Sequence, residues 1–284
     1  MRSISGLTLA PWSTTAYSAS STYVVGNKVN YNGKMYKCIT AVETAEAFDP
    51  AKWEQFAFNG NTSGTEEITQ ATANNTTDKV EWYIDQWCDR VLINGLLVLM
   101  SKSLDTQGVF GRGIDSGSQA AKEAYITGSF DDKGLFYGST ANGNTAVKVF
   151  GIENWWACVW DRTAGLIGGA DDMYLYKMTA STADGSTTST YNTTGTGYLS
   201  VGNKSTTSDY VKKMQFGLFG FLPIEVGTYS TQYYKDKYYD GTGFALVGGS
   251  SNGGAAGGAF FVNLNNPAFL RIWSIAARLS CKPC

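Results

Sequence analysis

The chain has 284 residues, 43% hydrophobic, 14% aromatic and only 16% charged, with 33 glycines and a net charge of −2. That is enough apolar material for one large core or two modest ones, and without a basic stretch it makes nucleic acid and anionic membrane poor partners. Histidine is absent, which removes Ser-His-Asp and Cys-His chemistry, most zinc sites and the commonest general base.

Residues 1–20 are rich in Ser and Thr and hold no long apolar run, so no secretory leader is expected there. Residues 11–56 read as a small β module inside an N-terminal unit, 1–58. Val25, Val29 and Tyr31 suit strand faces, Asn32-Gly33 is a two-residue hairpin turn, and residues 34–39 are the returning strand. Fewer than fifty residues give a marginal core, so aromatic side chains must supply most of the burial. Residues 59–78 are polar without apolar periodicity and read as a linker.

Residues 78–103 are expected to form one helix. Asp78 would cap it, Glu81 would sit in its first turn, and Val80, Ile84, Trp87, Val91 and Val98 recur at helical spacing. Its second half is apolar nearly all round, which calls for burial on several sides, and residues 91–100 are too short to span a bilayer. From 104 onward short apolar runs alternate with Gly, Ser, Asn and Thr clusters. Strands are expected at 130–137, 147–150, 155–160, 173–178, 197–201, 243–247 and 259–262, with helical turns near 118–125 and 153–156.

Three of the eight tryptophans, Trp155, Trp156 and Trp160, fall within six positions. They cannot share one strand face, so two should be buried and one partly exposed, while Glu153 and Asn154 bond nearby backbone. Trp273 marks a closing strand against this block. The five cysteines, Cys38, Cys88, Cys158, Cys281 and Cys284, are odd in number. The terminal C-x-x-C contains Pro283 and lacks the helix start that a redox motif needs, so unpaired thiols are expected. No cofactor or metal is expected: Asp171-Asp172 stands alone, without the spaced carboxylates that calcium takes. Residues 231–240 set four tyrosines among charges, as binding loops do. Tyr233, Tyr234, Tyr238 and Tyr239 are therefore candidate receptor contacts, with Asn252 in the glycine run of 248–258 and Asn265, Asn266, Phe269 and Arg271 on the next loop.

Two stretches carry resemblances. Trp12, Tyr23, Gly26, Val29, Tyr31, Gly33, Tyr36 and Trp53 follow the pattern of the short chitin- and cellulose-binding modules attached to hydrolases and phage tail proteins. The resemblance implies glycan contacts by Trp12, Tyr31, Tyr36 and Trp53. It departs after Tyr36, where residues 38–48 lack the expected exposed aromatic pair; the alternative is that these aromatics are core and the module is a spacer or docking unit. Residues 133–138, 147–156, Tyr198, 212–216, 245–250, 261–265 and 273–283 resemble, in order, the terminal head domains of phage and prophage tail proteins. The Glu153-Asn-Trp-Trp156 block, the later Gly-Gly-Ser and the closing Trp273 stretch are also similar to the C-type-lectin-like fold of formylglycine-generating-enzyme relatives. The implied fold class is α+β and β-rich: a small all-β N-terminal module, then a C-type-lectin-like receptor-binding domain over 79–284 with a preceding helix and long loops. The implied function is a non-catalytic tail-fibre protein of the virion, extracellular when it works. Its partners would be a host-surface glycan or protein and other virion tail proteins, in a homo-oligomer, a trimer. The alternatives are a baseplate or capsid-decoration protein and, against the missing histidines and acid pair, a polysaccharide-degrading enzyme.

Overall fold

The computed structural model describes residues 8–10, 15–32, 34–59, 62–72, 80–115, 130–177, 197–230, 234–251, 253–272 and 274–283. The chain opens on a four-stranded sheet of β1 (Thr8–Ala10), β2 (Lys28–Tyr31), β3 (Lys34–Cys38) and β4 (Trp53–Asn59), in the order β1-β4-β3-β2. Tyr31 pairs with Lys34 across the Asn-Gly step, and Asn32 takes the left-handed backbone (φ 49°) that such a turn demands. Asp49 accepts a hydrogen bond from the Ala51 amide (3.0 Å) and starts one 3-10 turn that delivers Trp53 into β4. Tyr23, Val29, Cys38, Val42 and Trp53 form the core beneath.

The polar stretch after β4 is not structureless. Gly64–Thr72 form helix α1. Ser63 and Glu66 make a reciprocal cap: the Ser63 amide donates to Glu66 (2.7 Å) and the Glu66 amide to the Ser63 hydroxyl (3.4 Å). Ile68 and Ala71 then enter a core shared with Ile84, Ile167 and Phe244. Glu67 is held by a buried ion pair with Arg162.

The helix expected over 78–103 is two elements. Val80–Ile84 form β5, and Trp87–Ser101 form α2, followed by α3 (Thr106–Phe110). Residues 80–84 pair antiparallel with residues 279–283, nearly two hundred positions away. Their β-branched and aromatic side chains serve a strand as well as a helix, and the partner decides. Asp78 lies outside the described residues. The helix begins instead where Asp89 accepts from the Gln86 amide (3.4 Å), and it ends at Lys102 in left-handed backbone (φ 53°).

Two short strands, β6 (Lys148–Val149) and β7 (Ile152–Glu153), pair locally. The main sheet then uses β8 (Trp160–Gly168), β9 (Met173–Tyr176), β10 (Leu199–Asn203), β11 (Asp209–Gly217), β12 (Gly220–Gly227), β13 (Lys237–Tyr239), β14 (Phe244–Val247), β15 (Val262–Asn263) and β16 (Ile275–Ala276). Its order is β10-β9-β8-β14-β15-β13-β11-β12, with β16 beside β8, and β17 (Leu279–Pro283) closes on β5. Pairings in the main sheet are antiparallel except β13 with β15 and β8 with β16. The central strand β14 is buried on both faces: Ala245 and Val247 point into one cluster, Phe244 and Leu246 into another, as a period of two requires. The ladder between β8 and β14 jumps from Phe244↔Ile167 to Ala245↔Thr163, and Gly165 at φ 90° absorbs the bulge.

Residues 155–159 are not strand. Asn154, Ala157 and Cys158 all have positive φ, a conformation that costs an L-residue about 1–2 kcal/mol each. Partners compensate. Trp155 Nε1 donates to Asn94 of α2 (2.8 Å) and Trp156 Nε1 to the Gly111 carbonyl (3.0 Å). Both rings are fully buried, while Trp160 is half-exposed. The Arg90 guanidinium lies 3.7 Å from the Trp155 ring and bonds Asp85 (2.6 Å), Asp161 (2.6 Å) and the Trp155 carbonyl (2.8 Å). Arg278 bonds Asp161 (2.7 Å) and the carbonyls of Glu153 (2.7 Å) and Asn154. Two arginines and two aspartates therefore lock the tryptophan block to α2 and to the chain's end. Residues 130–137 likewise form a 3-10 turn (Asp131–Lys133) and a single bridge from Tyr137 to Lys148 rather than a strand. Glu153 accepts from the Phe130 amide (2.8 Å), the backbone role expected of it. The turn expected near 118–125 lies outside the described residues. Cys38, Cys88 and Cys158 are in no disulfide, and Cys281 sits in β17 rather than at a helix start.

Candidate functional site

The first candidate surface belongs to the N-terminal sheet. Tyr31 and Tyr36 lie diagonally across the hairpin, opposite Lys34 and Val29 respectively, with ring centroids 6.5 Å apart, and Phe48 from the following loop packs on both. Tyr31 stacks on Phe48 at 4.0 Å and 8°, while Tyr17 meets Tyr23, Tyr31, Phe48 and Trp53. Tyr17, Tyr31, Tyr36 and Phe48 are half-buried and so offer part of each ring to solvent. Trp53 does not: it is buried as the floor of the cluster, which corrects its assignment as a glycan contact. Trp12 lies outside the described residues. Val24, Val25 and Ile39 are exposed, around a turn in which the Gly26 amide donates to the Cys38 carbonyl (2.8 Å) and the Cys38 amide to that of Asn27 (2.8 Å).

The second is an open cleft of about 370 Å³ on the main sheet, within the range of small-ligand sites. Strand alternation builds it. Lys237 and Tyr239 line it from one face of β13, while Tyr238 between them is buried in the core. Phe261 and Asn263 line it in the same way, with Val262 turned inward. Trp160 stands at the start of β8, its amide bonded to the Ser274 carbonyl (2.7 Å). The Trp160 and Phe261 rings meet edge to face at 4.5 Å, and Tyr239 lies 5.7 Å from Phe261. Three asparagines make a fan at the rim: Asn263 Oδ1 accepts from the Asn265 amide (2.9 Å) and from Asn266 Nδ2 (3.0 Å), which also donates to Asn265 Oδ1 (2.7 Å). Among the described residues Lys237 is the only charged one that lines it, its ammonium 4.7 Å from the Tyr210 ring. Among the described residues no carboxylate lines the cleft.

Beneath it Asp236 is buried, with Oδ1 unpartnered. Burial pushes its carboxyl up to about 8, against hydrogen bonds from the Phe260 and Phe261 amides that pull the other way. Its neutral form is the one that fits.

The structure thus gathers Tyr239, Asn265 and Asn266 from the sequence-derived contacts and places Tyr234, Tyr238, Phe269 and Arg271 elsewhere. Tyr238 is a correction: it is wholly buried and its hydroxyl is spent on the Ser205 carbonyl and Asp240 (3.1 Å each). Tyr234 packs against the same core. Phe269 is exposed but off the cleft, and Arg271 pairs with Glu66 of α1 (2.6 Å). Tyr233 and Asn252 lie outside the described residues. Sequence reasoning missed Trp160, Lys237, Phe261 and Asn263 in the cleft, and Tyr17 and Phe48 in the module. The alternation around the buried Tyr238 and Val262 was the available signal. Among the described residues no group of three or more acidic or thiol side chains is placed to hold a metal ion, and no helix is long and apolar enough to cross a membrane.

Compared with known families, residues 16–62 match carbohydrate-binding module family 5/12. Residues 16–62, with the β2–β4 strands and the aromatic cluster, are therefore a carbohydrate-binding module of the chitin-binding kind, covering about one sixth of the chain. No curated protein matches the chain.

Proposed function

We propose that this chain is a non-catalytic attachment protein that holds a polysaccharide-bearing surface through its N-terminal module and through the cleft of its larger domain. The family match over residues 16–62 carries the reading. In the module, Tyr31, Tyr36 and Phe48 offer the flat apolar faces on which pyranose C–H groups stack, and chitin is the ligand class that the match implies. In the cleft, Trp160 and Tyr239 would supply the stacking surface and the Asn263, Asn265 and Asn266 amides the hydrogen bonds to hydroxyl or acetamido groups. Glycoside hydrolysis takes two carboxylates flanking the scissile bond; the described lining of the cleft is aromatic and aliphatic side chains, three asparagines, Ser274 and Lys237, which favours binding.

The finer reading is a virion tail protein that fixes the particle to a host-surface glycan or protein, its larger domain C-type-lectin-like. Supporting it are the order of motifs from residue 133 to 283, the first and last strands of that domain paired as β5 and β17, and the clamped tryptophan block. Two sites on one chain, repeated in an assembly, raise avidity without requiring tight single contacts.

The test is retention on insoluble chitin and on host cells or walls. Tyr31→Ala should cut retention on chitin at least tenfold, and Trp160→Ala with Asn263→Ala should cut retention on the host surface while chitin binding survives. Undiminished retention of both variants on both supports overturns the proposal, and release of reducing ends from either support would make the chain an enzyme.

A further inference from the structure

From Val91 to Ser101 helix α2 has no charged residue. One side of it is spent inward, with Ile93, Asn94 and Leu97 buried and Asn94 bonded to Trp155 (2.8 Å) and to the Ala259 carbonyl (2.9 Å). The other side carries Leu92, Leu96, Leu99 and Met100 at steps of four, seven and eight, hence on one face. Beside it stands the turn of the β11–β12 hairpin: Trp87 Nε1 donates to the Phe219 carbonyl (2.8 Å), and Val91 packs on Gly220. Phe216 and Leu218 project from that turn into solvent. The six side chains are between 37% and 85% exposed. They amount to roughly 700 Å² of uncharged apolar surface, more than a typical monomer leaves in one patch.

Gly95 lies in the same stripe, three residues after Leu92 and four before Leu99. A β-carbon there would meet nothing within 4 Å, and its backbone is not left-handed. Glycine weakens a helix interior relative to alanine, and no neighbour among the described residues uses the missing side chain. A notch between leucines on an exposed helix is what another helix needs to approach closely.

We propose that a second copy of this chain docks here, α2 crossing its symmetry mate at Gly95, with the hairpin turn of each copy flanking the other's helix. The exposed area approaches the roughly 800 Å² per partner of a standard stable interface. Interfaces between copies of one chain are the more apolar class, and a two-fold contact sets this face against itself with no charge left unpaired. An unrelated partner would need polar or charged groups for specificity, and the stripe has none. The inference does not rest on the binding reading above.

Light scattering behind size exclusion, on the full chain at micromolar concentration, should give at least twice the 30.6 kDa of one chain. Leu99→Glu, at an exposed position, should return the mass to one chain with native tryptophan emission retained. Gly95→Ala, which strengthens an isolated helix, should weaken association at least tenfold. A single-chain mass for the unaltered protein, or an assembled mass that survives Leu99→Glu, overturns the proposal. So does a Leu99→Glu chain that loses its native emission, since part of the same chain would then be the cover.

Discussion

Replacing Arg278 with Ala should lower the unfolding free energy of the protein by about 3 kcal/mol. The buried group is electrically balanced, Arg90 and Arg278 against Asp85 and Asp161. The substitution removes an ion pair to Asp161 at 2.7 Å and the donors to the Glu153 and Asn154 carbonyls, and leaves one negative charge in excess. Three charge-assisted bonds at about 1.5–3 kcal/mol each set an upper figure of roughly 5–9. Deleting one partner of a buried pair costs about 3–5 kcal/mol in practice. The Arg278 side chain is 22% exposed, so water reaches part of what it abandons, and the lower end of that range applies. Arg278→Lys keeps the charge but not the fork and should lose about half as much. Urea unfolding followed by tryptophan emission measures all three states of this position. Combining Arg278→Met with Asp161→Asn leaves Arg90 with Asp85 and no excess charge, so the double variant should lose less than the sum of the singles by about 1 kcal/mol or more. A loss under about 1 kcal/mol for Arg278→Ala, or strict additivity in the double variant, would refute a coupled clamp.

Asp236, with its carboxyl raised to about 8, favours the protonated state in the fold, so its contribution is complete below pH 4 and is lost as pH rises through 8. Between pH 5 and 7 the group should lower stability by up to about 1.4 kcal/mol per pH unit. Asp236→Asn should flatten that slope and stabilise the protein at pH 8.5, read from urea midpoints; an unchanged slope would remove the buried carboxyl from the account. Gly248→Ala should cost about 2 kcal/mol or more, because φ is 83° there and a β-carbon would press to 3.1 Å from the Trp156 Cα. A melting temperature within a degree of the unaltered protein would mean that the tryptophan block yields more easily than its clamps imply.

The sequence alone was enough for features that reside in a few neighbouring residues. Asn32-Gly33 specifies its hairpin because only left-handed backbone closes a two-residue loop with the strand twist. The aromatic spacing from Tyr23 to Trp53 specifies the binding module, and the crowding of Trp155, Trp156 and Trp160 specifies a core with one ring left partly outside. The Ser63-x-x-Glu66 cap was legible too, though a window judged only on its apolar content hides a helix whose inward face is Ile68, Ala71 and a charged Glu67. Tertiary structure decided the rest. Val80 to Ile84 satisfy helical and strand periodicity alike, and the distant residues 279–283 made them strand. Tyr238 and Tyr239 are equal in the sequence; the pleat of β13 sends one to the core and the other to the cleft. The cleft itself draws on six separated stretches between Trp160 and Ile275, and a surface assembled from such distances has no local pattern to betray it.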